Sequence, residues 1–146
     1  MVTINNLSLQ DAKPTDYPHL ILWDNPHNAE IVQIAFNNNA QIISYRDNLI
    51  SRINSKQKYL ILNENLDDEL DAIKEICANN SKKVLILKDL DILISYLYSK
   101  PSSPISLFWK KLGDIRHLDS ILWILLPTKF IPPNWDKKRI KSVVGL

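Results

Sequence analysis

Acidic side chains are the residues of this sequence with the clearest potential for chemistry. Asp24 directly follows the apolar run 19–23, and Asp89 and Asp91 follow the run 84–87. An acid placed directly after four apolar residues could hold Mg²⁺, but position 88 is Lys88. We therefore interpret Asp89 or Asp91 as the cap of the next helix.

The segment 23–30 joins the first apolar run to the first helical pattern, where an α/β sheet usually binds its ligand. It contains neither Gly nor Lys, and the whole chain has 2 glycines. A phosphate cradle needs converging backbone N–H groups, which several glycines allow, and a lysine for charge. We therefore predict no phosphate binding here and no nucleotide cofactor. Asp24, His27 and Glu30 are metal-ligand types, but no second cluster completes a set, so no metal is expected.

Nucleophilic catalysis has no clear candidate residue. Cys77 lies on the apolar face of a predicted helix, which indicates a core position. His19 opens an apolar run and His117 follows Arg116, and neither has a nucleophile in register, so we expect both at the surface. The chain is therefore predicted not to be an enzyme.

The C-terminal segment 134–146 is basic, and we expect one short helix there. Four basic residues occupy five positions beside Trp135, namely Lys137, Lys138, Arg139 and Lys141. Such a cluster can contact nucleic acid or an acidic partner. It is also typical of the solvated face of a helix, which is the interpretation we favour.

The elements that must position these residues follow from five near-continuous apolar runs, at 19–23, 40–45, 59–62, 84–87 and 121–126. Runs of this kind are typical of strands that are covered on both faces. Helical spacing is found between them, over 29–36, 49–53, 66–77, 90–98 and 105–118. The alternation predicts a three-layer α/β sandwich around a five-stranded, mostly parallel sheet.

Length and composition fit one globular domain of 146 residues, with 45% apolar and 23% charged residues. The net charge of +2 neither requires nor excludes a nucleic-acid partner. No signal peptide is recognisable, and no apolar run approaches the roughly 20 residues of a membrane helix. We therefore expect a cytoplasmic protein without membrane contact. Residues 1–17 are predicted to form a polar arm outside a domain that spans 18–146.

In this order the segments resemble the AAA+ base domain of the DnaA family, especially its shortened Hda-type regulators. The run 18–23 is similar to the first strand, and 30–40 to the helix that follows the phosphate loop. Run 59–64 resembles the Walker B strand and 83–87 the sensor-1 strand. Residues 108–119 resemble the family's W-x-x-L-P-D-L-R-S-R-L stretch. The phosphate-loop position then falls on Asp24, Asn25, Pro26, His27 and Asn28.

Hda-type proteins also carry an N-terminal peptide, Q-L-S-L-P, that docks on the replication sliding clamp. A similar segment is formed here by Asn6, Leu7, Ser8, Leu9 and Gln10. An exposed arm of this kind places two leucines in an apolar pocket while an amide side chain is hydrogen-bonded. The resemblance therefore implies the sliding clamp as a partner.

The chain also departs from the family pattern. The glycines and lysine of the phosphate loop are missing, Asn63 or Glu64 stands at the Walker B acid, and His117 follows Arg116. From Pro127 onward only a stump of the helical lid is expected. The resemblance thus implies a non-catalytic adaptor or regulator of replication initiation. Its partner would be the sliding clamp, a DnaA-type ATPase, or both, with Arg116 among the contact residues.

Two alternatives stay open. A second register places Walker B at 84–91 and sensor 1 at 121–128, within the same fold. The second function is a small Rossmann-like protein that binds nucleic acid, or a metal-dependent enzyme. It would use the basic tail and the acids Asp24, Glu64, Asp89 or Asp91, and it predicts that these acids converge at the carboxyl edge of the sheet.

Overall fold

The computed structural model describes residues 2–3, 6–12, 17–56, 66–99 and 104–144. Its strands are β1 (Val2–Thr3), β2 (His19–Leu22), β3 (Ala40–Ser44), β4 (Val84–Lys88), β5 (Ile121–Leu126) and β6 (Ile140–Val144). They form one sheet in the order β1-β6-β2-β5-β4-β3, and every pair is parallel. The predicted α/β fold, with five strands of four or more residues, is therefore confirmed, and the two-residue β1 adds a short edge.

Within the described ranges five helices lie between the strands: α1 (Asn28–Asn37), α2 (Tyr45–Lys56), α3 (Leu66–Ala78), α4 (Asp91–Tyr98) and α5 (Ile105–Gly113). Each lies where the apolar spacing predicted a helix, although α5 ends five residues earlier than expected. His117 has a φ of 61°, which a right-handed helix cannot contain. None of the helices in the described ranges is long and apolar enough to span a membrane.

The two faces of the sheet are packed by separate groups of apolar residues. One face carries Leu85, Leu87, Leu122 and Ile124 beneath the helices α2 to α5. The opposite face carries Ile86 and other strand residues beneath α1. The central strands β4 and β5 are therefore covered on both sides, which explains why their sequences are nearly continuous apolar runs.

The N-terminal segment also belongs to the core, so the expectation of a polar arm outside it is wrong for residues 6–12. Leu7, Leu9 and Ala12 are 6%, 0% and 6% exposed and pack with α1 against the sheet. The physical reason is that a single helix leaves part of this sheet face open. The leucines fill that space, and burying each of them contributes about 1.5–3 kcal/mol.

The C-terminal segment is a strand rather than the expected short helix or lid stump. After Pro127 the chain forms two 3₁₀ turns, Thr128–Phe130 and Lys137–Arg139, and then β6. Leu20 of β2 pairs with Ile140 of β6. The β-branched residues of β6 favour a strand, and pairing with it satisfies the backbone edge of β2. The run 59–62, which was predicted to be a strand, lies outside the described residues.

Candidate functional site

The carboxyl ends of β2, β4 and β5 border a crevice of about 260 Å³. The connection from β2 runs to β3 at one edge of the sheet, and that from β5 runs to β6 on the other side. The connections that leave the neighbouring strands β2 and β5 thus run in opposite directions. Open α/β sheets bind ligands in the crevice that forms at such a point. Among its lining residues are Asn25, Pro26, Lys88, Asp89 and Asp91. The structure therefore brings the predicted phosphate-loop position together with the acids that follow β4.

Asp24 connects two loops at this crevice. Its Oδ1 accepts a hydrogen bond from the backbone N–H of Thr128 at 2.8 Å, and its Oδ2 accepts one from the Thr128 hydroxyl at 3.0 Å. Both carboxylate oxygens thus hold the turn after β5 against the end of β2. The next residue, Asn25, has a φ of 51°, a left-handed conformation that asparagine adopts more readily than most residues.

The N-terminus of α1 is closed by a side chain of the same helix. His27 is the N-cap residue, and its backbone N–H donates to Glu30 Oε1 at 3.1 Å. Glu30 therefore places a negative charge at the end of the helix where the dipole favours one. In a phosphate-binding loop the ligand occupies this position. Here a carboxylate lies there, and no lysine of the loop is available to offset its charge.

The acids after β4 also have local roles. Asp89 Oδ2 accepts a hydrogen bond of 2.6 Å from the Ser44 hydroxyl at the end of β3. The expectation that Asp89 or Asp91 caps α4 is wrong, because the N-cap is Leu90 and Asp91 is the first residue of the helix. No group of three His, Cys, Asp or Glu side chains within the described ranges could hold a metal ion. Glu64 lies outside those ranges.

The basic residues of the tail do not form one face. Arg139 Nη1 donates to the carbonyl oxygens of Pro18 and Gly113 at 2.9 and 3.1 Å. Lys141 Nζ donates to the Ser8 carbonyl oxygen at 2.6 Å. Lys137 and Lys138 remain exposed. Two of the four predicted contact residues therefore hold the backbone of the domain together.

The clamp-like segment is bound within the domain, mainly by a residue that the sequence did not single out. Asn38 is buried, and its Oδ1 accepts from the backbone N–H of Leu9 at 2.9 Å. Its Nδ2 donates to the carbonyl oxygens of Leu7 and Ile34 at 3.3 and 2.9 Å.

Two further hydrogen bonds hold this segment. Trp123 Nε1 donates to the Leu9 carbonyl oxygen at 3.1 Å. Gln10 Nε2 donates to the backbone carbonyl oxygen of Asn38 at 2.6 Å. Asn6 and Gln10 are exposed, while Leu7 and Leu9 are not, so the two leucines are not free for a partner.

A second polar cluster that sequence reasoning missed joins α2 to α3. The fully buried Glu69 accepts two hydrogen bonds from the Arg52 guanidinium, at 2.8 and 2.7 Å, and one from the Tyr45 hydroxyl. Burial, and then the nearby carboxylate, raise the pKa of Tyr45. The carboxylate also raises the pKa of Arg52. Since both Glu69 oxygens are engaged, the cluster is best explained as a connection between helices.

The remaining nucleophile and base candidates are also located. Cys77 is fully buried, which confirms it as a core residue, and burial raises its pKa to about 12. The expectation of a surface position is wrong for His19, which is 1% exposed with its ring 4.8 Å from that of Trp123. His117 is exposed, as expected.

The chain matches no family model, no curated protein and no solved structure.

Proposed function

We propose that the chain is a non-catalytic AAA+-like adaptor that regulates replication initiation by contact with another protein. The observation that carries this proposal is the phosphate-loop position, where carboxylates of the chain take the place of a ligand. Glu30 closes the N-terminus of α1, and Asp24 is engaged by Thr128. A bound triphosphate would meet these carboxylates together with Asp89 and Asp91, and the cation on the wall of the crevice is Lys88. The excess of carboxylates opposes triphosphate binding, so the fold is retained for contacts rather than hydrolysis.

The second register of the resemblance places Walker B on β4 and sensor 1 on β5. These two strands are neighbours, and β5 also pairs with β2, the strand before the phosphate-loop position. In that register Lys88, the last residue of β4, stands where the Walker B acid would stand. A lysine in place of the acid would remove a ligand for Mg²⁺, in agreement with a non-catalytic role.

A DnaA-type ATPase is the partner that fits the structure better than the sliding clamp. Arg116 is exposed and is available for such a contact. The clamp-like segment has both leucines buried, so docking on a clamp would first require the segment to leave the sheet face. Its contacts with Asn38, Trp123 and Lys141 would then be lost.

The metal-dependent alternative is less well supported. Asp89 and Asp91 do border the same crevice as Asn25, but the carboxylates of Asp24 and Asp89 are engaged by Thr128 and Ser44. No group of three His, Cys, Asp or Glu side chains that could hold a metal ion is found among the described residues.

Two measurements test the proposal. Isothermal titration calorimetry with ATP and Mg²⁺ should show no binding at millimolar nucleotide. The rate of ATP hydrolysis by a purified DnaA-type ATPase should change when the chain is added, and Arg116→Ala should abolish the change. Arg46→Ala is the matched control, because Arg46 is also exposed but lies on α2. Micromolar ATP binding, or an unchanged hydrolysis rate, would contradict the proposal.

A further inference from the structure

Two arginines from distant parts of the sequence meet at one aromatic ring. The Cζ atoms of Arg116 and Arg139 each lie 5.2 Å from the centroid of the Tyr17 ring. Arg139 also lies 4.9 Å from the centroid of the Trp135 ring. These residues come from the segment before β2, the segment after α5 and the 3₁₀ turn before β6, so the fold builds this cluster. Guanidinium groups held against aromatic rings lose little further freedom when they bind a ligand.

Most hydrogen-bond donors of these two arginines have no partner within the part of the chain that the structure describes. A guanidinium has five N–H donors. Arg139 Nη1 donates to the carbonyl oxygens of Pro18 and Gly113, and its other donors have no partner among the described residues. Among the described residues Arg116 makes only its contact with the Tyr17 ring. The two arginines therefore have N–H donors that can bind a phosphate or a carboxylate. A planar guanidinium binds two oxygens of such a group through two parallel hydrogen bonds.

The cluster borders a cavity of about 470 Å³, whose wall includes Trp109, Trp135, Lys110 and Arg139. The two indole rings meet edge to face, with centroids 5.9 Å apart. A Cβ atom on Gly113 would lie 3.1 Å from the Trp135 ring, so the glycine allows the indole to pack closely on α5. The cavity thus has a fixed aromatic wall and a volume within the range of small-molecule sites.

The charged residues on the cavity wall are Lys110, Arg139 and Asp114, so the positive charges outnumber the single carboxylate. Arg139 is partly buried, and this burial lowers its pKa against the opposing effect of Asp136 and Asp114. A guanidinium that has lost part of its hydration gains from any oxyanion that approaches it. Lys110 is exposed at the rim and adds a further positive charge.

We propose that Arg116, Arg139 and the cavity beside Trp135 form a binding site for a single strand of nucleic acid. The two guanidiniums take phosphates of the backbone, and a base enters the cavity beside Trp135. Sites of this kind combine a positive surface for the backbone with aromatic side chains for the bases. An acidic peptide would satisfy the arginines but would leave the aromatic cavity without a matching group. This inference goes beyond the proposed function and does not depend on it.

The test is binding of a fluorescein-labelled oligothymidine of about 15 nucleotides, followed by fluorescence anisotropy over a range of salt concentrations. The wild-type chain should bind, with affinity falling as salt rises. Arg116→Gln should weaken binding several-fold and lower the slope of log K against log salt by about 1. Arg116→Lys should recover the slope but only part of the affinity, because lysine keeps the charge without the planar fork.

Arg46→Gln is the matched control, since it removes one exposed positive charge on α2. It should bind like wild type, and circular dichroism spectra of all variants should superimpose. Absence of binding at low salt, or equal weakening by Arg116→Gln and Arg46→Gln, would overturn the site. Equal competition by polyglutamate and by unlabelled oligothymidine at the same charge concentration would overturn the nucleic-acid assignment in favour of an acidic protein partner.

Discussion

The two faces of the sheet are covered in different ways. Four helices, α2 to α5, cover one face, whereas α1 and the irregular segment 6–12 cover the other. A helix satisfies most of its own backbone groups, so apolar side chains alone can attach it to a sheet. A segment without regular structure needs partners for its backbone. Asn38, Trp123 and Lys141 provide them here.

This difference changes the interpretation of the N-terminal leucines. On the helix-covered face every large core residue belongs to a regular element or lies close to one. On the other face Leu9 is as deeply buried as the centre of β5, although it lies in a polar stretch. The pattern Leu-x-Leu that resembles a docking peptide is therefore part of this domain's own packing.

The largest expected effect tests whether the segment 6–12 is as firmly packed as the helices on the other face. Leu9→Ala should destabilise the protein by about 3 kcal/mol, because it opens a cavity in a packed core. Leu93→Ala on α4 is the matched variant, since both leucines are fully buried. Urea unfolding followed by tryptophan fluorescence measures both. A loss below about 1 kcal/mol for Leu9→Ala alone would mean that the segment is only loosely attached.

Removal of the side chain that holds the segment should have the next largest effect. Asn38→Ala should cost about 2 kcal/mol, because the buried Leu9 N–H and Leu7 carbonyl lose their partner. Hydrogen exchange at the Leu9 amide should accelerate at the same time. Asn37→Ala is the control, because Asn37 is exposed and its side chain accepts only from Gln33. Similar losses in the two variants would show that Asn38 has no special role.

The helix-covered face was largely predictable from the sequence. Leu66, Leu70, Ile73 and Ile76 recur at helical spacing in α3, and all of them are buried. The strands β4 and β5 were equally clear, because burial on both faces leaves no polar position. The absence of glycine and lysine from 23–30 predicts that no phosphate binds there, and this stays a prediction. These patterns were informative because helical spacing and burial on both faces can each be recognised from neighbouring residues in the sequence.

The other face depends on contacts between distant residues, which periodicity does not reveal. Asn38 lies in a run of three asparagines that is equally consistent with simple composition, yet it binds backbone atoms about 30 residues away. The charges of Arg139 and Lys141 indicated a solvated surface, whereas both donate to backbone carbonyl oxygens. At the crevice the acids were identified, but their partners Ser44 and Thr128 were not.

The stability of the protein at alkaline pH should depend on the burial of Cys77 beneath the helix-covered face. Burial raises the pKa of Cys77 from 9.0 to about 12, so the unfolded chain ionises this thiol first. The contribution is fully present below pH 9.0 and is lost as the pH rises toward about 12. By pH 10 the loss should be about 1.4 kcal/mol. Tyr45 acts in the same direction because its pKa is also raised.

The comparison for this prediction is the wild-type chain against Cys77→Ala, with unfolding free energies measured in urea at pH 7 and pH 10. The variant should lose less stability than wild type over this interval, while the share due to Tyr45 should persist in both. An identical loss in the two proteins would show that the thiol is accessible in the folded state.

The smallest expected effect concerns the ion pair between α5 and α3, which lies on the outside of the same face. Lys111 Nζ is 2.9 Å from Asp67 Oδ1, but the two side chains are 44% and 78% exposed. Water screens such a pair, so Asp67→Asn should change the unfolding free energy by less than about 0.5 kcal/mol. Glu69→Gln on the same helix is the buried counterpart and should cost about 3 kcal/mol. If Asp67→Asn cost more than about 1 kcal/mol, surface charge rather than apolar packing would hold these helices together. Polar contacts would then be important on both faces of the sheet, and the two faces would no longer differ in this respect.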